Sequence, residues 1–155
     1  MMKPEYLQAA IQPTIHVMEA VTRAKLTTER VQMVNDFRAI QGVCAGVTLN
    51  GDAEGAMFLV ADHTVARVVA SKMCGRELTG ADESEIFEVF MELVNMIAGN
   101  SIGLFTRAGL RLTITPPSIY TTPPEPPYGA SCAMVLINSP LGMLKICLSL
   151  AEKGL

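Results

Sequence analysis

Ile86-Phe-Glu-Val-Phe-Met-Glu-Leu-Val-Asn-Met-Ile-Ala98 is the stretch of this 155-residue chain that decides its fold. Ten of the thirteen residues are apolar, and the other three are Glu88, Glu92 and Asn95. These stand at i, i+4 and i+7, so a helix places them on one face. Gly99 follows on that face and adds no side chain to it. A helix that is apolar nearly all round is buried, and this one keeps a single narrow polar stripe. Its two carboxylates repel modestly, and the stretch has no Lys, Arg or His to pair them. Taken alone, the stripe is either the wet face of a core helix or a site. The Glu-x-x-His ligands of a di-metal carboxylate centre are missing. A glycosidase pair is disfavoured, because both Glu share one helix rather than flank a cleft, and the chain has no Trp to stack a sugar.

Working outward, the helix extends over 82–108, with Asp82 and Glu85 suiting a capping box and Gly109 the stop. Upstream, residues 5–23 carry Leu7, Ile11, Ile15 and Met18 at helical spacing, with Pro13 as a kink or a later start. Residues 26–37 are ambiguous, although Val31, Met33 and Val34 suit the beginning of a strand. Residues 42–49 alternate, Asn50-Gly51 signals a hairpin, and Gly55–Ala61 returns. Residues 62–74 read as a helix, with Asp62 as N-cap and Gly75 past its end. Downstream, 111–115 alternate as a strand. Residues 116–127 hold six of the nine prolines, an extended connector rather than an SH3-type ligand. A second hairpin runs from Ala133–Ile137 through Asn138-Ser139-Pro140 into 143–150. The segments 47–60 and 135–148 echo each other loosely, which predicts an internal duplication in pseudo-twofold order. The expected fold is α/β (α+β): one domain over 1–155, two layers, an antiparallel sheet with helices packed against it.

Composition narrows the partners. Half of the residues are apolar and only 17% are charged, against roughly 25% in most globular domains. Such a surface suits oligomerisation. The net charge is −3 and the twelve Lys and Arg are scattered, which argues against nucleic acid and anionic membranes. The apolar run Ala56–Ala61 is far too short for a span, and the N-terminus shows no signal segment. Cys44, Cys74, Cys132 and Cys147 form no C-x-x-C and cannot complete a zinc site with His16 and His63, so they read as reduced, mostly buried thiols of a cytoplasmic protein. The ten Met read as core filler.

Phe90-Met-Glu-Leu-Val-Asn-Met-Ile-Ala-Gly-Asn100, followed by Leu112-Thr-Ile-Thr-Pro-Pro-Ser118, resembles the signature of the CheC/CheX/FliY family of chemotaxis phosphatases. In that signature an acidic residue or Ser is followed by Glu four positions on, Asn three further, and Pro some twenty later. Glu92 matches the Glu, Asn95 the Asn, and Pro116 or Pro117 the Pro. Glu88 stands where Asp or Ser is usual and is a possible accessory residue; Val94 replaces a small or polar one. The first helix offers only the off-pattern Glu5-x-x-Gln8, so the resemblance is to CheX, with one active site per chain. It implies a hydrolase acting on the acyl phosphate of a phosphorylated CheY-like response regulator. Asn95 would orient water and Glu92 would pair with a receiver lysine. No cofactor or metal is implied on this chain, and Mg²⁺ is expected on the receiver. The resemblance also implies a homodimer through sheet edges, for which the cleanly alternating final strand is a candidate. The competing reading is a non-catalytic, flagellar-switch-like module that docks a partner on the same helix. A small-molecule phosphatase is disfavoured, since the chain lacks a Gly-rich phosphate loop and an Arg cluster.

Overall fold

The computed structural model describes residues 2–154. Three helices, α1 (Pro4–Thr22), α2 (His63–Cys74) and α3 (Glu83–Arg107), accompany seven strands. The strands are β1 (Thr27–Val34), β2 (Val43–Gly51), β3 (Ala53–Ala61), β4 (Leu112–Ile114), β5 (Ser118–Ile119), β6 (Ser131–Asn138) and β7 (Leu144–Glu152). They form one antiparallel sheet in the order β1-β6-β7-β3-β2-β4, with β5 also on β2. Exchanging β1 with β4, β2 with β6 and β3 with β7 turns this order into its own reverse.

The helices lie on one face of the sheet. α1 and α3 pack on each other, and α3 covers β2, β3 and β4. Pro4 opens α1, where its missing N–H costs nothing. Pro13 sits buried inside α1, which runs on without a break in assignment. The ambiguous segment 26–37 contains the edge strand β1, whose pairing with β6 is interrupted by a bulge between Thr28 and Arg30.

The far face of the sheet has its own smaller core. Phe37, Ile40, Cys44, Phe58, Val60 and Cys147 cluster there with Cys132 and Ala56. The Phe58 ring meets Phe37 at 5.7 Å and Tyr120 at 5.4 Å, both edge-on. The register sets Gly46 opposite Phe58, and a Cβ at Gly46 would lie 2.3 Å from that ring. Residues 35–42 and the proline-rich connector therefore cap the sheet where helices do not. This explains why Ala56–Ala61 reads as a continuous apolar run: β3 is buried on both faces.

Three local expectations change. β7 is not an edge, because it pairs with β3 on one side and β6 on the other; the edges are β1 and β4/β5. The Asn50-Gly51 reversal is wider than a two-residue turn: Leu49 pairs with Gly55, and only Gly51 has positive φ. Gly51 is required there, since a Cβ would strike the Arg111 carbonyl at 2.2 Å. The capping box forms one turn earlier than Asp82 and Glu85 suggest. Thr79 accepts from Ala81 N–H while Asp82 accepts from Thr79 N–H, and Glu85 pairs instead with Arg76 at 2.5 Å. The remaining caps fall as expected, with Asp62 accepting from Val65 N–H at 2.8 Å and Gly75 left-handed.

Candidate active site

α3 presents the stripe by burying everything opposite it. Val89, Phe90, Leu93, Val94, Ile97 and Ala98 are buried, and Phe90, Leu93 and Ile97 are fully enclosed. Glu88, Glu92, Asn95 and Gly99 are exposed. From Glu88 to Asn95 the stripe runs about 10 Å along the axis at ~1.5 Å per residue. Half-buried Phe87 and Met91 and exposed Met96 give it apolar shoulders.

The side-chain hydrogen bonds of α3 are made by Glu85, Ser101 and Thr106. Glu88, Glu92 and Asn95 have no side-chain partner among the described residues, so all three are free to engage another molecule. Beyond Asn95 the face is bare: a Cβ at Gly99 or Gly103 would meet nothing within 4 Å. The main cavities lie elsewhere, beside α2, at the 50–51 reversal, under the connector and between α1 and the end of α3. Neither Glu92 nor Asn95 lines any of them. The stripe is thus a projecting ridge.

Pro116 is exposed and Pro117 half-buried in the gap between β4 and β5. Proline cannot donate to a ladder, so these two interrupt what would be one strand along β2. Thr115 bridges the break: its N–H donates to Thr48 O at 3.1 Å, and its hydroxyl oxygen accepts from Thr48 N–H at 3.0 Å.

On α1, Gln8 accepts from Gln12 at 3.4 Å, so the off-pattern amide is engaged within its own helix. No group of three or more His, Cys, Asp or Glu suited to a metal ion occurs among the described residues. Cys44, Cys132 and Cys147 are buried and Cys74 is exposed. Burial pushes the Cys44 thiol up to about 12 and raises Cys132 and Cys147 as well. These three are therefore protonated packing groups, unsuited to nucleophilic work. α3 with its leading turn is long and apolar enough to cross a membrane by length and composition; here it is a partly buried core helix against the sheet.

Residues 43–137 match the family described as chemotaxis phosphatase CheX, which is more than half of the chain. The chain belongs to this CheX family. The match contains β2 to most of β6 and the whole stripe. The fold agrees. A CheC-like superfamily protein from Shewanella sp. PV-4 superposes with a TM-score of 0.85 at 17% identity, covering 97% of this chain and 100% of that one. A chemotaxis protein CheX from Desulfovibrio desulfuricans gives 0.84 at 15%, covering 95% and 99%. The Borrelia burgdorferi CheX–CheY–BeF3–Mg²⁺ complex gives 0.71 at 24%, covering 95% and 98%. A search of curated proteins returns no match. As a CheX-family member, the chain is a chemotaxis phosphatase, a hydrolase with an α+β fold of helices on an antiparallel sheet.

Proposed function

We propose that Glu92 and Asn95 are the catalytic pair, and that the substrate is a phosphorylated CheY-like receiver domain. The observation that carries this is the ridge: two polar side chains without partners, on an exposed helix face, lining none of the main cavities. Small-molecule enzymes enclose their substrate in a concave pocket. A ridge acts instead on a substrate that supplies its own pocket, as a protein with a recessed phosphoaspartate does. The Borrelia burgdorferi relative, held with CheY, BeF3 and Mg²⁺, supports the same reading.

In this mechanism Asn95 enters the receiver site. Its amide holds a water in line with phosphorus, accepting or donating one hydrogen bond as the water attacks. The new P–O bond forms as the bond to the aspartyl oxygen breaks, releasing inorganic phosphate and the free carboxylate. Mg²⁺ carried by the receiver neutralises charge on the phosphoryl oxygens. Glu92 pairs with a receiver lysine and fixes the pose, and Glu88, one turn back, widens that cation-binding edge. Positioning of this kind supplies roughly 10²–10⁴-fold, about 3–5 kcal/mol.

The assembly we propose is a homodimer through β1, acting in the cytoplasm, where receiver domains are phosphorylated. β1 is an unpaired edge, exposed along nearly its whole length, and Val31 and Met33 are 41% and 57% exposed. The chain is read as one domain over 1–155, built of two related halves; the self-reversing strand order supports this. The decisive experiment follows phosphate loss from a phosphorylated receiver with Mg²⁺ alone, with this protein, and with Glu92→Ala or Asn95→Ala. Catalytic acceleration lost in both folded variants is expected. Binding without acceleration would leave the non-catalytic docking module in its place.

A further inference from the structure

Along α3 each residue turns by about 100° from the one before it. Going round the outer face, the order is therefore Met91, Asn95, Glu92, Met96, in steps of about 40–60°. Glu88 and Gly99, one turn below and one turn above, fall between Asn95 and Glu92 in this order. The polar pair thus has a methionine on each flank. Met91 is half-buried and packs against the main core. Met96 is 38% exposed, and of the exposed large apolar side chains among the described residues (Val31, Met33, Val68, Met96 and Tyr128) only Met96 lies on α3. Asn100, one turn further in the row of Glu92 and Met96, is exposed and polar. A single apolar residue in water is ordinary on a protein surface; what distinguishes Met96 is its place beside Glu92 and Asn95.

We infer that Met96 is the apolar anchor of the receiver contact, packing against an apolar rim of the receiver's phosphoaspartate site. This rests on the receiver-phosphatase reading above. The Cα atoms of Asn95 and Met96 are ~3.8 Å apart, so a receiver that takes in Asn95 also lies over Met96. Exposed ion pairs contribute little net affinity, because their charges stay hydrated and screened. The carboxylates of the stripe therefore steer and orient the partner more than they hold it. Holding comes from apolar groups that lose their water in the complex, and beside the pair Met96 is the one with most surface left to lose. Its unbranched thioether chain adapts to the shape of the surface that covers it. The division of labour is then Asn95 for the chemical step, Glu92 for the pose and Met96 for affinity. Met96 touches the partner protein and not the reacting atoms, so it is a positioning residue.

The test compares the wild type, Met96→Gln and Met96→Leu. Gln has the length and helix propensity of Met but a polar end that resists desolvation, whereas Leu keeps the apolar character. Two quantities are measured: the Kd of a CheY-like receiver loaded with BeF3 and Mg²⁺, and phosphate release against concentration of the phosphorylated receiver. The urea midpoint of Met96→Gln should stay near that of the wild type, as at other exposed positions. Met96→Gln is expected to raise Kd and KM about fivefold and to leave kcat within about twofold. Met96→Leu is expected to keep all three within about twofold. A Met96→Gln Kd within about twofold of wild type overturns the anchor while leaving the phosphatase reading intact, and so does a Leu variant that loses as much as the Gln one. A Met96→Gln protein that turns from dimer to monomer in sedimentation, with receiver affinity unchanged, assigns Met96 to the contact between copies and also overturns the anchor. A wild type that accelerates no receiver removes the phosphatase reading, and the anchor with it.

Discussion

Gly99 and Gly103 are the weakest helix formers in α3, yet nothing within the chain requires either of them. Neither has positive φ, and a Cβ at either would meet no atom within 4 Å. Gly→Ala in an exposed helix interior gains about 0.8–1 kcal/mol, part of it from the unfolded chain. With no clash to subtract, Gly99→Ala should stabilise by that amount. In a domain of this size each kcal/mol moves Tm by roughly 2–4 °C. The double variant with Gly103→Ala should gain about 2 kcal/mol, since the two methyls share no partner. Urea unfolding at constant m reads this directly. Activity should move the other way. Gly99 follows Asn95 by one turn on the same face, and a methyl forced into a close-packed contact costs about 1–3 kcal/mol. Phosphatase kcat/KM is therefore expected to fall roughly tenfold or more in Gly99→Ala, and less in Gly103→Ala, which lies about 12 Å from Asn95. A variant that gains stability and keeps full activity would refute the idea that a partner backbone comes close there. A variant that loses stability would refute the open-space reading itself.

Three further outcomes test other parts of the molecule. Cys74 alone should react with a thiol reagent in the native state, and all four thiols after unfolding. Because Cys44 is raised from 9.0 to about 12, the unfolded chain releases this proton first, so stability should fall as pH climbs from about 9 towards 12. Fast labelling of more than one thiol in the native protein would contradict the buried second core. Val31→Asp with Met33→Asp should convert a sedimenting dimer to a folded monomer, because both side chains are exposed in the protomer and the fold loses little. A variant that stays dimeric would move the interface away from β1.

The helices were legible because each carries a strong local signal: the apolar circumference of α3, and the Asp62 cap and Gly75 stop of α2. The candidate site residues stood out for the same reason, since three polar positions in an apolar helix fall on one face, which the structure leaves exposed. The edge of the sheet was not. β7 alternates cleanly because its two faces meet two different cores, and alternation says nothing of whether both neighbours are present. β1, one of the two true edges, mixes Thr, Glu, Arg and Gln with Val and Met, and edges are kept polar to avoid stray pairing. The capping box was displaced because Thr79 competes for Asp82, and Arg76, nine residues away, captures Glu85.

The second core bears on the chemistry although it lies on the opposite side of the sheet. In the mechanism proposed above, Asn95 holds a water in line only if α3 is stationary, and α3 is as stationary as the strands it rests on. β2 and β3 are clamped from below by Phe37, Phe58 and Tyr120 and from above by Phe90, Leu93 and Ile97. Strands held on both faces have little room to shift, because close-packed interiors deform in discrete rearrangements rather than smoothly. A sheet with one wetted face would leave α3 on a more compliant base. The proline-rich connector, which contributes no group to the stripe, thus serves it mechanically: it carries Tyr120 across the sheet and closes the far side. Precision at an exposed ridge has to come from the layers beneath it, since no pocket wall surrounds Asn95 to correct its aim.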